Sequence, residues 1–396
     1  MIYIVATAGF GGGYNYIRGF MKKIKIKLNE YVSRDTLHQI DATYIILLGG
    51  RNNGKSFATK EEVIRNALDK GEEFAYIRRY KEDCKQYMVN EYFSDILCDM
   101  NGVNHLMEWS GGRYNTIVTY NQGIYFGSIE EESGKVVRGQ RFGRMFGLSW
   151  ATHYKSLSYP QITTAVYEEF ITDGAYLNVG PVSEPKIFMN LISTIFRDRT
   201  GKVFLVGTTV SRINPFFKEW SLKAIAKQEP NSIMYYSYKY KGEDKKESLA
   251  RIAVYMTHSR EKNSGMFFGN AAKTITETVW ESEEADTLTV DKKSCNTLYE
   301  MVMKYDDNMF LMEFMELPDG VVTWYVSPKT TPIKDGTRVV SNELILSDLA
   351  TRSFRGLTEQ EQRIFNYLKD DRVIFSDNLT ATEFKQCYSM VRKIIW

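Results

Sequence analysis

Apolar residues in the first half of the chain fall into short runs whose spacing predicts an α/β domain. ATYIILLGG (42–50) is a continuous apolar run ending in two glycines, the pattern of a buried strand. KSFATKEEVIRNALDKG (55–71) then places apolar residues at helical spacing, with Gly71 as its stop. EFAYIRRY (73–80) is a second strand, so strand, helix and strand make the βαβ unit of a parallel sheet. Two further buried strands, ITTAVYEEF (162–170) and KVFLVGTT (202–209), are separated by a helix over SEPKIFMNLISTIFRDR (183–199). Between residues 105 and 150, glycine-spaced alternation predicts a β-meander beside the main sheet.

The pattern changes over residues 228–265. The stretch is charged, helix-prone beyond Gly242 and without a buried-strand signature, which predicts a helical linker subdomain over 248–285. A second unit, 286–396, follows it. MFLMEFMEL (309–317) and VVTWYVSP (321–328) are joined by Pro318-Asp319-Gly320, a hairpin pattern, and the tail reads as two helices. The first twenty residues superficially look like a strand and a glycine-rich loop. However, Gly9, Gly11, Gly12 and Gly13 miss the GxGxxG spacing and no Lys-Ser/Thr follows, so 1–20 is expected to be a loosely packed arm. It lacks the basic start and cleavage site of a signal peptide. Met21, opening MKKIKIK, is an alternative start. The main domain is then expected over 21–247.

Composition narrows the class without naming it. A chain of 396 residues exceeds one ordinary core, and 43% hydrophobic with 25% charged residues is ordinary for a globular chain. Eight prolines among so many aromatics exclude a disordered or collagen-like chain. Fifty-one basic against 49 acidic side chains leave +2, so any affinity for nucleic acid must come from a local basic surface. The four cysteines and four histidines show no zinc-ligand spacing, and a reducing compartment fits them. No run of 18 apolar residues is present, which excludes a membrane-spanning helix.

Chemistry concentrates at strand ends. Gly49-Gly50-Arg51-Asn52-Asn53-Gly54-Lys55-Ser56 matches GxxxxGK(S/T), after an apolar strand and at the opening of a helix. Glycine lets backbone N–H groups curl around phosphates at a helix N-terminus; Lys55 would reach the β- and γ-phosphates of ATP, and the Ser56 hydroxyl would ligate Mg²⁺. Glu168 and Glu169 end another buried strand, where one acid holds the Mg²⁺ sphere and the next polarises water. Glu168 stands where Asp is common, and its extra methylene calls for a shifted strand or a bridging water. Arg78, Arg79 and Lys81 gather positive charge at one rim, suited either to ion pairs or to phosphates. Arg197 ends a helix at the sheet's edge, either complementing the helix dipole or acting on a neighbouring subunit. Thr208 closes the last strand, where a polar side chain faces the γ-phosphate.

These strings resemble the DNA-packaging ATPases of phi29-type phages, relatives of the large terminases. The resemblance spans residues 40–220 and rests on GGRNNGKS, YIRRYK, YKSLSYP (154–160), TTAVYEEFI, IFRDR and VGTTVSRINPFF (206–217). It implies an α/β, ASCE-type P-loop ATPase domain with a mostly parallel sheet. A smaller α+β C-terminal domain, RNase H-like with lost nuclease acids, would follow. Glu313, Glu316, Asp319 and Asp306 make no metal triad in the sequence. The resemblance also implies that Arg51 is the loop's embedded arginine, Glu168 the metal carboxylate and Glu169 the catalytic glutamate. Lys155 and Arg197 would act across a subunit interface, and Lys81 with Arg79 would touch DNA. Thr208 stands where the family has Asn.

The expected function is a ring-forming, Mg·ATP-driven translocase of double-stranded DNA. The implied partners are the portal of a viral prohead and further copies of the chain, a pentamer by resemblance. A packaging RNA is left open. The chain would work in the host cytoplasm, transiently attached to the prohead, with no membrane. Two alternatives stand beside this: a terminase with an active C-terminal endonuclease, and a nucleotide-binding assembly protein.

Overall fold

The computed structural model describes residues 5–7, 31–130, 132–172, 176–179, 182–209, 213–222, 225, 228–241, 247–258, 285–306 and 308–393. Among these the chain forms two compact units, one ending at His258 and the other beginning at Ala285.

In the first unit β1 (Val5–Thr7) precedes α1 (Arg34–Gln39), β2 (Tyr44–Leu48), α2 (Lys55–Lys70) and β3 (Glu73–Arg78). Short helices α3 (Gln86–Tyr92), α4 (Ser94–Leu97) and α5 (His105–Trp109) lead into β4 (Thr116–Tyr120), β5 (Gly123–Ile129) and β6 (Val136–Gly147). Then come β7 (Ile162–Glu168), β8 (Asn178–Val179), β9 (Val182–Ser183), α6 (Glu184–Phe196), β10 (Lys202–Gly207) and α7 (Pro215–Glu219). Strands β11 (Ser232–Lys241) and β12 (Glu247–Met256) close the unit. Apart from the β8–β9 pair, these strands make one sheet in the order β1-β11-β12-β2-β10-β7-β3-β6-β5-β4.

The centre of that sheet is parallel. Leu48 lies opposite Gly207, Val206 opposite Glu168, and Tyr167 opposite Ile77, so β2, β10, β7 and β3 end along one edge. Their side chains alternate between two covered faces. On one face Ile45, Leu47, Val166 and Phe204 join a core with Ala58, Val63, Ile64 and Ala67 of α2. On the other, Tyr167 stacks on Phe188 of α6 with centroids 5.4 Å apart and meets Phe216 of α7. Full burial of each such side chain contributes about 1.5–3 kcal/mol. Helix α2 ends at Gly71, whose φ of 70° suits glycine and whose N–H bonds Ala67 at 3.0 Å. The meander forms as expected, with β5 antiparallel to both β4 and β6.

Two expectations are corrected. The segment opening the expected helical linker is the strand β12, paired antiparallel with β11 and parallel with β2. Its apolar core, Ile252–Met256, is only five residues long and follows a charged stretch. Only its insertion between two partners makes it a central strand. Residues 259–284 of that linker lie outside the described residues. Within the expected arm, Val5–Thr7 pairs parallel with Tyr235–Ser237, and the rest of 1–20 lies outside the described residues.

The second unit contains β13 (Asn296–Tyr305), β14 (Asn308–Glu316), β15 (Val322–Pro328), β16 (Arg338–Ser341), β17 (Ala350–Thr351), α8 (Glu359–Lys369), β18 (Val373–Phe375) and α9 (Asn378–Lys393). Strands β13 to β15 are antiparallel, and β16 returns parallel to β13, giving the order β17-β16-β13-β14-β15-β18. Three antiparallel strands with the fourth beside the first and parallel to it is a strand order compatible with the RNase H-like domain that the resemblance implies. The carboxylates of this unit are engaged separately. Glu313 meets Lys292 at 2.5 Å, Asp306 accepts from Asn342 at 2.7 Å, and Asp319 accepts from the Val321 N–H of its hairpin. Among the described residues no three His, Cys, Asp or Glu side chains gather as a metal site, and no helix is long and apolar enough to cross a membrane.

Central burial of β12 predicts slow amide exchange. Peptides covering 250–256 should be protected like those of β2 in hydrogen-exchange mass spectrometry. Exchange of this segment within seconds would contradict its place in the sheet.

Candidate nucleotide and metal site

The phosphate loop sits between β2 and α2, at the edge where the parallel strands end. Gly49 has φ of 149°, Asn52 61° and Gly54 77°, a sequence of turns that residues with bulky side chains resist. Gly54 is required twice over: it caps α2 in the left-handed conformation, and a Cβ there would lie 3.1 Å from the Val32 carbonyl. Asn53 is buried and does not face solvent; its amide donates to Thr257 Oγ1 at 2.8 Å and to the His258 carbonyl at 2.9 Å. Those bonds tie the loop to the end of β12. Gly50 is buried, whereas Arg51 and Asn52 are exposed on the loop's outer turn.

Lys55 folds back into the loop, donating to the carbonyls of Gly49 at 3.0 Å and Gly50 at 2.5 Å. Burial pushes its ammonium down to about 8, opposed by the Glu168 carboxylate. An anion entering the loop would restore the missing partner. Ser56, one residue on, donates its hydroxyl to Glu168 Oε2 at 3.1 Å. The other carboxylate oxygen, Oε1, accepts from the Tyr92 hydroxyl at 2.7 Å. Burial pushes the Glu168 carboxyl up, and the bonds from Tyr92 and Ser56 act against that shift. The pairing of β7 with β10 runs unshifted to Glu168, and the irregularity in its pairing with β3 lies at the opposite end of the strand, between Ile162 and Thr164, so no shift at Glu168 itself absorbs the extra methylene. Its length is used in bridging Ser56 and Tyr92.

Glu169 behaves differently. Its backbone turns left-handed at φ 55°, and its side chain points to solvent, where Arg78 holds Oε2 at 2.8 Å. Two chain neighbours therefore have opposite settings: Glu168 is buried against the loop, Glu169 exposed and latched by a cation. At the end of β10, Thr208 is half-buried, while the Thr209 hydroxyl is fully buried and has no hydrogen-bond partner among the described residues. Gly207-Thr208-Thr209 closes this strand in the sequence reading, with Thr208 as the polar residue facing the phosphates, and in the structure Thr209 is the more buried of the two.

The basic rim separates into unlike parts. Arg79, expected to touch DNA, is instead an interior residue. Its guanidinium bonds Glu184 at 2.9 Å, the Glu169 carbonyl at 3.2 Å and the Phe170 carbonyl at 2.7 Å. Glu184, wholly buried, also accepts from Tyr167 at 2.6 Å and from the Leu177 N–H at 2.7 Å. Successive residues at a strand end face opposite ways, which sends Arg78 to the Glu169 side chain and Arg79 into the core. Lys81 remains at the surface turn, its ammonium over the ring of partly exposed Trp150.

Arg197 lies at the end of the sheet opposite the loop's edge, where β7 begins. Arg197 is exposed at the end of α6 and donates to the Leu157 carbonyl at 3.0 Å, two residues from exposed Lys155. Nearby Arg199 bonds the carbonyls of Tyr159, Pro160, Ile162 and Ile195, all at 2.8–2.9 Å. Ile162 begins β7 and Glu168 ends it, so this surface is separated from the Glu168 end by a seven-residue strand, about 20 Å.

A phosphate loop on β2, paired acids on β7 and the added strand β10 between them define an ASCE-type P-loop ATPase fold. Over residues 28–117 and 131–237 the chain matches the family model of the Podovirus DNA encapsidation protein (Gp16), and it belongs to that family. It is 30% identical over 177 residues to a DNA packaging protein of Bacillus phage B103, covering 44% of this chain and 47% of that protein. The DNA packaging protein of Bacillus phage phi29 is 29% identical over 177 residues, covering 44% of this chain and 46% of the relative. The match thus spans about half the length of these curated relatives. In fold, the chain is similar to one in the bacteriophage Phi-29 viral genome packaging motor assembly, at a TM-score of 0.54 and 18% identity, covering 92% of this chain and 100% of that one.

Tyr92 and Glu184 carry no motif of their own and are found only through their partners, whereas Arg78 stands in the basic string YIRRYK but its pairing with Glu169 shows only in the fold. Arg79→Ala should strand buried Glu184 and destabilise the first unit by about 3–5 kcal/mol in denaturant titrations. Lys81→Ala should change stability by no more than about 0.5 kcal/mol. An Arg79→Ala protein of unchanged stability that loses DNA affinity would restore the DNA-contact assignment.

Proposed function

We propose that the chain is the ATP-hydrolysing subunit of a ring-shaped motor that drives double-stranded DNA into a viral prohead. The observation that carries this reading is the Ser56–Glu168 hydrogen bond, which joins the phosphate loop to the acidic strand end with Glu169 next in sequence. The donor set suits Mg²⁺: a hydroxyl and a carboxylate oxygen 3.1 Å apart, at the N-terminus of a sixteen-residue helix. Bound Mg·ATP would supply the transferable γ-phosphoryl group and the cation that neutralises its charge. Lys55 would turn from the Gly49 and Gly50 carbonyls to the phosphates, and Ser56 with Glu168 would hold the metal. Glu169, once released from Arg78, would orient the attacking water.

Arg197 is a candidate for acting on a neighbouring subunit's nucleotide because it lies at the opposite end of the sheet from its own phosphate loop, and exposed Lys155, two residues from the Leu157 carbonyl that Arg197 bonds, is the second candidate. A trans cation of this kind is worth about 10³–10⁵ in rate. Lys81, at the rim beside Arg78, is the candidate for contact with DNA phosphates, which carry no sequence information and suit translocation along any sequence. The family relatives are named for DNA packaging and encapsidation, which supports DNA as the cargo; the portal of a prohead and further copies of the chain are the partners this reading implies.

The division of roles has a direct test. Glu169→Gln should bind Mg·ATP normally and lose turnover by at least about a hundredfold, whereas Glu168→Gln should also lose metal-dependent binding. Equal binding loss in the two variants would reject the assignment. Mixing Arg197→Ala with Glu169→Gln subunits should restore part of the activity, since some interfaces then pair intact groups. Absence of rescue in demonstrably mixed rings would reject the trans role of Arg197 and leave Lys155.

A further inference from the structure

Glu168 is unusual in being held from both ends. Its carboxylate is 4% exposed, so each oxygen needs a polar partner to offset lost hydration. Oε2 faces Ser56 at 3.1 Å, and Oε1 is taken by the Tyr92 hydroxyl at 2.7 Å. The Tyr92 ring is fixed in turn. It packs against Tyr76 and Phe93, each with centroids 4.8 Å away, and the Lys60 ammonium lies 4.3 Å from its centre. Lys60 is anchored by both oxygens of Asp95 at 2.8 and 2.9 Å. An aspartate at position 168 would end about 1.5 Å short of Tyr92. Only the longer side chain reaches both partners.

We propose that Tyr92 is a positioning residue for the metal-side carboxylate: it takes Oε1 of Glu168 so that Oε2, together with Ser56, is presented to the divalent cation of Mg·ATP. The inference rests on the nucleotide-site reading above and adds a residue to it. Glutamate at this position and tyrosine at 92 form one functional pair. The hydroxyl, bonded to Oε1 at 2.7 Å, fixes the rotation of the carboxylate about its last bond.

The test is a Mg²⁺ titration of the binding of a fluorescent, non-hydrolysable ATP analogue to the full chain. The proteins compared are wild type, Tyr92→Phe, Glu168→Asp, the double variant and Glu168→Gln, and thermal unfolding of the nucleotide-free proteins reports on the fold. Tyr92→Phe should raise the Mg²⁺ concentration at half-maximal binding about tenfold, as loss of a charge-assisted hydrogen bond implies, and leave the Mg²⁺-free affinity unchanged. In the Glu168→Asp background the same change should shift the midpoint less than about twofold, because the shorter side chain does not reach the hydroxyl. If Glu168→Gln moves the midpoint but Tyr92→Phe does not, or if Tyr92→Phe acts equally in both backgrounds, the role of Tyr92 is overturned and the metal site stands. If Glu168→Gln leaves the midpoint in place, the metal-site reading falls, and the inference with it.

Discussion

Everything at the nucleotide edge depends on the parallel ladder β2-β10-β7-β3. Because β10 lies between the other two, the phosphate loop and the acidic strand end do not come from neighbouring strands. They meet only because Leu48, Gly207, Val206 and Glu168 fall in register across it. A one-residue slip of β7 would turn Glu168 to the opposite face and bring its neighbour to the loop. The two buried faces, one covered by α2 and the other by α6 and α7, make such a slip costly. The hydrophobic pattern of the strands thus fixes the chemistry at their ends.

From that edge, two consecutive glutamates acquire separate environments. Glu168 completes the ladder and is buried between Ser56 and Tyr92. Glu169 leaves it on a left-handed backbone and reaches solvent. Arg79 binds the carbonyls of Glu169 and Phe170 and ties them to Glu184 at the start of α6. This buried pair fixes the backbone of Glu169 while Arg78 holds its side chain. Left-handed conformation in a non-glycine residue costs of order 1–3 kcal/mol, and the carbonyl bonds from Arg79 supply the local compensation.

Much of this was legible in the chain. The glycine and lysine spacing, the apolar runs of β2, β7 and β10, and the stop at Gly71 all depend on local physics, and local sequence reports it. Strand β12 was not legible, because five apolar residues after a charged stretch become a central strand only by insertion between β2 and β11. Neither was the parting of Arg78 from Arg79. The string YIRRYK shows a basic rim, and strand alternation requires that consecutive residues face opposite ways. Only the fold tells which of them meets Glu184 in the core. Tyr92 sits in a short helix with no motif, and its value comes entirely from Glu168, more than seventy residues away.

The central claim is that hydrolysis at this edge is completed by a neighbouring subunit and used on DNA. The most direct measurement is ATP turnover per subunit as a function of protein concentration, with and without double-stranded DNA and empty proheads. The account predicts slow turnover at low concentration, a steep rise as subunits associate, and further stimulation when DNA and proheads are both present. Turnover per subunit that stays constant across concentration and is indifferent to DNA and proheads would contradict it.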